Sequence, residues 1–384
     1  MKNFVLIKNL VKNFTFSSAC RTTRLNSTYS QEYKRSLSNP EEYWNEKKNL
    51  IEWFTEPTQI LDKSNSPFEK WYANGSLNAT YNCLDYHVKN GFGDQDALIH
   101  DSPLTNTIKK ISYKELLNEV SLFAGVLSNY GVKKGDRVLI YMPMIPQAVT
   151  VMLASARIGA IHSLVFGGFA SKELSVRINH AKPKIIVSAN TGVEPGRLIN
   201  YKELLDAAVE MSEHKPKKCI FYNREMFPEV DFKNNRDLYL NYEKEISKAK
   251  PHDCIPVDSN FPLYLLYTSG TTGLPKGVVR MTAGYLIALK NSMSKVYGTN
   301  PGETFCAFSD LGWTVGHSYI CYGPLAARNT AILYEGKPVG TPDSGSWFRV
   351  LSEHKVVSAF APTAIRAIKQ QDPEAKLAKK YNLD

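Results

Sequence analysis

Apolar and polar positions alternate in blocks along most of this chain. Short runs rich in β-branched and aromatic residues predict buried strands at Arg137–Met142 (RVLIYM), His162–Phe166 (HSLVF) and Lys184–Ser188 (KIIVS). Amphipathic stretches between them predict helices from Ser112 to about Asn129, after Pro143 to about Gly159, and over Ser171–His180. The first helix opens on Ser112-Tyr-Lys-Glu115, a capping-box pattern, and Gly131 stops it. The rhythm resumes with strands at Pro262–Ser269, Thr304–Ser309, Thr330–Tyr334 and Val356–Phe360. Helices are predicted from Thr282, after His317, near Trp347–His354 and over Thr363–Gln371. Such alternation implies an α/β class, with parallel or mixed β-sheets covered by helices. Two stretches break it. Residues 31–80 carry aromatics without alternation and predict short helices and loops; residues 223–260, rich in Asn, Lys and Pro, predict a surface excursion.

The composition of the 384 residues, 43% hydrophobic and 22% charged, is that of a folded protein and excludes wholesale disorder. The longest sticky segment, Phe261–Tyr267, is strand-sized, far short of the ~18–20 apolar residues of a spanning helix, so membrane insertion is not expected. The net charge of +10 suggests a nucleic-acid partner until its distribution is read. Residues 1–31 hold Lys2, Lys8, Lys12, Arg21 and Arg24 with no acid, and the remainder carries only +5. Without an arginine-rich stripe, a nucleic-acid partner is not expected, and a solvated surface explains the rest. Such a surface also suits anionic small molecules. Six cysteines without a CxxC pair speak against zinc and disulfides and fit a reducing compartment. No metal-ligand set stands out.

The first thirty residues read as an address. Phe4, Leu6, Ile7, Leu10, Val11 and Phe14 recur at helical spacing among lysines, as in a mitochondrial matrix-targeting peptide. Lys8 and Lys12 interrupt what would be the apolar core of a secretory signal, and a tail of accidental composition is the other reading.

Candidate chemistry concentrates in Tyr267–Gly277 (YTSGTTGLPKG), between a predicted strand and a predicted helix. Thr268, Ser269, Thr271 and Thr272 supply hydroxyl donors. Gly270, Gly273 and Gly277 let backbone approach an anion, and Lys276 adds a mobile charge. The loop can wrap nucleotide phosphates, although its spacing is not that of a Walker A motif. A polar surface turn is the bland alternative. No Ser-His-Asp order, GxSxG elbow or HExxH occurs, so hydrolase readings find no support.

The YTSGTTGLPKG run closely resembles the phosphate loop of the adenylate-forming acyl-CoA synthetases. Val165–Phe169 (VFGGF), Asp310–Ser318 (DLGWTVGHS), Tyr334–Pro338 (YEGKP) and Ala361–Arg366 (APTAIR) look like the short-chain, acetyl- and propionyl-CoA branch. Asp310–Trp313, Ser318–Pro324 and Gln370–Pro373 look most like propionate–CoA ligases. The resemblance runs from about Glu41 to Asp384. It implies ATP-dependent activation of a short-chain carboxylate, propionate before acetate, through an acyl-adenylate to acyl-CoA, AMP and pyrophosphate.

The same resemblance implies residue roles. Thr268 and Lys276 become catalytic, with Thr268, Ser269, Gly270, Thr271, Thr272, Gly273, Lys276 and Gly277 holding ATP. Phe166, Gly167, Gly168, Phe169, Glu194, Pro195, Gly196, Arg197 and Val315 would contact coenzyme A, and Trp313 and Thr314 would line the acyl pocket. From the residues alone, Phe166–Phe169 reads equally as a tight turn with core aromatics. Glu194 stands where acetate-specific relatives usually carry arginine. Ala326-Ala-Arg328 departs from the usual leucine–glycine pattern, and His317 reads as a structural hydrogen-bonding residue before a catalytic base. Residues 31–110 resemble an N-terminal extension and 111–384 a truncated AMP-binding domain. The glutamate that binds Mg²⁺, the ribose-binding aspartate and the lid domain are expected beyond Asp384. A catalytically incompetent fragment that at most binds nucleotide or coenzyme A is therefore the alternative to a working ligase. The sequence assigns no oligomeric state.

Overall fold

The computed structural model describes residues 29–383 apart from 226, 229–236 and 269–274. The expected leader lies outside the described residues up to position 28. In chain order the strands are β1 Gln59–Asp62, β2 Lys70–Ala73, β3 Ser76–Leu77, β4 Asp96–Ser102, β5 Thr107–Ser112 and β6 Arg137–Tyr141. They continue with β7 Ile161–Leu164, β8 Ile185–Ala189, β9 Thr191–Glu194, β10 Arg197–Asn200, β11 Lys218–Tyr222 and β12 Tyr239–Asn241. The last six are β13 Val257–Asp258, β14 Pro262–Thr268, β15 Lys276–Met281, β16 Thr304–Ala307, β17 Thr330–Tyr334 and β18 Val356–Phe360.

Two sheets dominate. A seven-stranded sheet runs β12-β11-β8-β6-β7-β14-β15, parallel except for the antiparallel β14–β15 pair. A five-stranded sheet runs β18-β16-β17-β4-β5, parallel except for the β4–β5 hairpin. All five residues of β8 and of β17 are buried, as continuous apolar runs in parallel strands require. Helix Pro146–Arg157 is buried along its whole length. Its apolar residues join those of β6, β14, β16 and β17 in one core.

Helix Tyr113–Asn129 starts as its sequence predicts. Ser112 Oγ accepts from the Glu115 amide at 3.2 Å, and the Ser112 amide donates to the Glu115 carboxylate at 2.8 Å. Among the described residues no helix is long and apolar enough to cross a membrane.

The structure departs from the sequence pattern in three places. Residues 31–80 hold two helices, Tyr29–Ser38 and Pro40–Lys47, but also β1, β2 and β3, each too short to show a period. The segment 223–260 is not wholly an excursion. Tyr239–Asn241 adds a parallel edge to β11, Tyr242 is buried beneath helix Tyr113–Asn129, and Arg224 is buried in an ion pair. The stretch after Pro275 forms β15, an edge strand with all six residues exposed, where the apolar alternation of a half-buried strand is missing. At Ala326-Ala-Arg328 the chain turns with Arg328 at φ 59°, a left-handed conformation in which side chains are uncommon. Its guanidinium stacks 3.7 Å over Phe92 and donates to Gln95 at 2.8 Å, offsetting that strain.

Candidate functional site

Four parallel strands aim their carboxyl ends at one pocket. β7 leads into Val165–Phe169, β8 into the β9–β10 hairpin, β16 into Asp310 and β17 into Glu335–Lys337. In open parallel sheets ligands bind in this position, where backbone groups and loops converge. Gly167, Gly168, Glu194, Tyr201, Asp310 and Lys337 all line it.

The glycines are explained by a tyrosine. Asn200 caps helix Tyr201–Met211, accepting from the Glu203 amide at 3.2 Å, and this fixes Tyr201 at the first turn. The Tyr201 ring is wedged between two backbones: a Cβ at Gly167 would run into its hydroxyl, and one at Gly192 into its ring edge. It packs on Tyr141 at 4.7 Å. Close approach to Tyr201 therefore accounts for Gly167 and Gly192, and the same bare backbone forms the pocket wall.

Aromatic rings connect this wall to the start of the hydroxyl-rich loop. Phe166 lies 5.6 Å from both Trp313 and Phe169. The Arg177 guanidinium sits 4.2 Å over Phe169 and 5.6 Å from Tyr267, whose hydroxyl meets His180 Nδ1 at 2.7 Å. Tyr267 and Thr268 end β14. The register sets Tyr267 opposite Gly277 and Thr268 opposite Lys276, so both candidate catalytic residues stand side by side at one end of the hairpin. Ser269, Gly270, Thr271, Thr272 and Gly273 lie outside the described residues.

Two ionic clusters border the pocket, one reaching its lining through Glu335 and the other through Glu194 and Lys337. In its depth Glu335, 4% exposed, takes two bonds from Arg224 at 2.8 and 2.9 Å and lies 3.5 Å from His100. Burial alone would raise the Glu335 carboxyl; the His100 ring and the Arg224 guanidinium beside it outweigh burial and hold it below the usual range. At the rim, Glu194 Oε2 accepts from Arg197 at 2.6 and 3.0 Å, and Oε1 lies 3.3 Å from Lys337 Nζ. Arg197 and, against the pull of burial, Lys337 depress the Glu194 carboxyl. Asp310 lines the same pocket. Burial pushes it up to about 6, against a 2.7 Å bond from the Gly312 amide and the charge of Lys337.

Pro195 and Gly196 form the exposed tip of the β9–β10 hairpin, with Gly196 at φ 75°. Trp313 and Thr314 are exposed, and Val315 is half-buried against the core. His317 is buried, bonded to the Trp313 carbonyl at 3.2 Å, and burial lowers it to about 4, which keeps it neutral. Tyr201, Arg224, Asp310, Glu335 and Lys337 were not singled out from the sequence. Three of these stand inside the segments DLGW and YEGKP, so position there was an available signal; Arg224 offered none, because its partner is 111 residues away. Among the described residues no group of three His, Cys, Asp or Glu side chains comes together to hold a metal ion.

Known proteins resemble the chain along almost all of the described length. The AMP-binding enzyme family matches residues 86–384, and the acetyl-coenzyme A synthetase N-terminus family matches residues 29–83. Acyl-CoA synthetase short-chain family member 3, mitochondrial, of Bos taurus is 57% identical over 356 residues, covering 92% of this chain and 52% of the relative. The propionate–CoA ligase of Escherichia coli (strain K12) is 41% identical over 360 residues, covering 92% and 56%. Acetoacetyl-CoA synthetase from Streptomyces lividans superposes with a TM-score of 0.82 at 21% identity, over 93% of this chain and 53% of that one, a likeness of fold. The chain spans about half the length of the curated relatives it matches.

Proposed function

The chain belongs to the AMP-binding enzyme family, and from that premise we propose that it serves the ATP-dependent joining of a short-chain carboxylate to coenzyme A. Propionate is the favoured acid and acetate the next. The relatives named for short-chain acyl-CoA and propionate ligation support this reading. The observation that carries it is the pocket at the strand ends, with a bare glycine wall, a cationic rim and an aromatic link to the loop after Thr268. The name of the Bos taurus relative supports a mitochondrial location, and we assign the matrix. We also propose that residues 31–110 form an N-terminal extension of the AMP-binding domain, with β4 and β5 completing a sheet of that domain.

The chemistry follows from charge. A carboxylate is a weak nucleophile and must reach the α-phosphorus of a polyanion, so positioning and neutralisation supply most of the rate. Lys276 and the hydroxyls from Thr268 to Thr272 would neutralise the phosphates and the departing pyrophosphate. Mg²⁺ accompanies the nucleotide in such chemistry; among the described residues no group of three His, Cys, Asp or Glu side chains gathers to hold it. Phe166, Gly167, Gly168 and Phe169 would guide the thiol of coenzyme A, while Pro195, Gly196 and Arg197 receive its phosphates. Val315 would contact coenzyme A as well, and Trp313 and Thr314 would bound the acyl chain.

Propionate-dependent ATP–pyrophosphate exchange by this chain tests the reading, with acetate as comparator and Lys276→Ala as control. Exchange that the control abolishes, faster with propionate, is expected. Folded protein without exchange would leave a nucleotide- or coenzyme-binding role at most.

A further inference from the structure

We propose that Lys337 is a phosphate-binding residue of the coenzyme pocket, acting beside Arg197, and that Glu194 is the counter-ion both cations release when the coenzyme arrives. This rests on the coenzyme reading above and adds a ligand that the sequence motifs did not single out.

The argument begins with placement. Glu194 and Arg197 face each other across the β9–β10 hairpin, which follows β8 of the seven-stranded sheet. Lys337 comes from the other side, three residues after β17 of the five-stranded sheet. Its backbone is pinned: the amide donates to Thr341 Oγ1 at 2.8 Å, and that hydroxyl donates back to the Lys337 carbonyl at 2.7 Å. Thr341 is itself buried. The stem of Lys337 is thus fixed on the pocket wall while its ammonium reaches the rim.

Exposure separates the partners. The Glu194 side chain keeps 24% of its surface, whereas Lys337 keeps 45% and Arg197 69%. An arriving anion therefore meets the cations before the carboxylate. One carboxylate between two cations leaves a net charge of +1. Solvent-exposed pairs of this kind contribute little, because water and salt screen them. A phosphate brings more charge and more acceptor oxygens than a carboxylate, so exchanging one for the other favours the ligand. The deeper cation, Arg224, is committed to Glu335 and cannot serve this purpose without leaving a buried carboxylate unpaired.

Calorimetric titration of the full chain with coenzyme A, dephospho-coenzyme A and pantetheine tests the proposal. Lys337→Ala should weaken coenzyme A roughly fivefold to tenfold, the size of one charge-assisted contact, and flatten the salt dependence of binding. Pantetheine affinity and the melting temperature should stay unchanged. Lys337→Arg should bind within about twofold of the unmodified chain, since the charge is kept. Glu194→Gln should bind coenzyme A more tightly. A loss shared by dephospho-coenzyme A places Lys337 at the diphosphate; a loss confined to coenzyme A places it at the 3′-phosphate, and either supports the proposal. Unchanged coenzyme A affinity in Lys337→Ala, or an equal loss for pantetheine, overturns the role of Lys337. Weaker binding by Glu194→Gln overturns the counter-ion role. If the unmodified chain binds neither coenzyme A nor pantetheine, the coenzyme reading itself fails and takes this inference with it.

Discussion

The two ionic clusters of the pocket use the same chemistry to opposite ends. Glu335 and Arg224 form a bidentate pair with 4% and 7% of their side-chain surface exposed, joining the end of β17 to the segment after β11. Glu194, Arg197 and Lys337 make a similar bridge, from the separate β9–β10 hairpin to the segment after β17, but at the rim and in water. Desolvation decides the difference. The dry pair cannot exchange its partner without stranding a charge, so it fixes how the two sheets meet. The wet trio gives up little when its partner changes, so it suits a ligand.

The largest expected effect comes from breaking the dry pair. Glu335→Ala should cost about 3–5 kcal/mol in urea unfolding, because Arg224 remains buried without a carboxylate. Replacing both, Arg224→Met with Glu335→Leu, should restore most of that stability. A double variant as unstable as Glu335→Ala would mean that the pair does more than neutralise itself.

The glycine wall of the pocket comes next. Gly167→Ala and Gly192→Ala should each lose about 1–3 kcal/mol by overpacking against Tyr201. Tyr201→Phe should recover part of the loss for Gly167→Ala, where the hydroxyl is the atom met. It should recover none for Gly192→Ala, where the ring edge is met. Equal rescue of both would contradict the wedge.

Acid probes buried groups more gently. Burial, helped by the nearby charge of Lys290, lowers His87 to about 4, and burial lowers His317 to about 4. Both stay neutral in the fold, whereas an unfolded histidine titrates near 6.5. Their contribution is complete above pH ~6.5 and is lost as pH falls from there through about 4, where the unfolded state binds more protons. Urea midpoints should decline between pH 7 and 5, and His87→Gln, which can keep a donor toward the Leu325 carbonyl, should flatten the decline.

The smallest effect belongs to the rim. Arg197→Ala should change stability by less than about 1 kcal/mol, as an exposed pair permits. A loss comparable to that of Glu335→Ala would erase the contrast between the clusters.

Much of the scaffold was legible because it is local. The Ser112 capping box, the apolar runs of β6, β8 and β17, and the start of helix Thr282–Lys295 each depend on neighbours within a few residues. β15 was missed because its six residues are all exposed and carry no inward-facing pattern. β12 was missed because a three-residue strand in a polar stretch has no period to read. The functional motifs could be read as segments, yet their residues could not be assigned to a wall, a rim or a floor.

The sequence by itself determined the α/β rhythm, the hydroxyl- and glycine-rich loop and the resemblance to acyl-CoA synthetases, since all three are written in short contiguous runs. Only the tertiary structure decided that Gly167 and Gly192 clasp Tyr201, that Arg224 neutralises Glu335, and that Lys337 meets Glu194 across 143 residues of chain. The reason is physical: local propensity falls off within a turn or a strand. The strength of a charge pair depends instead on how much water surrounds it, and that is fixed when two sheets close on each other.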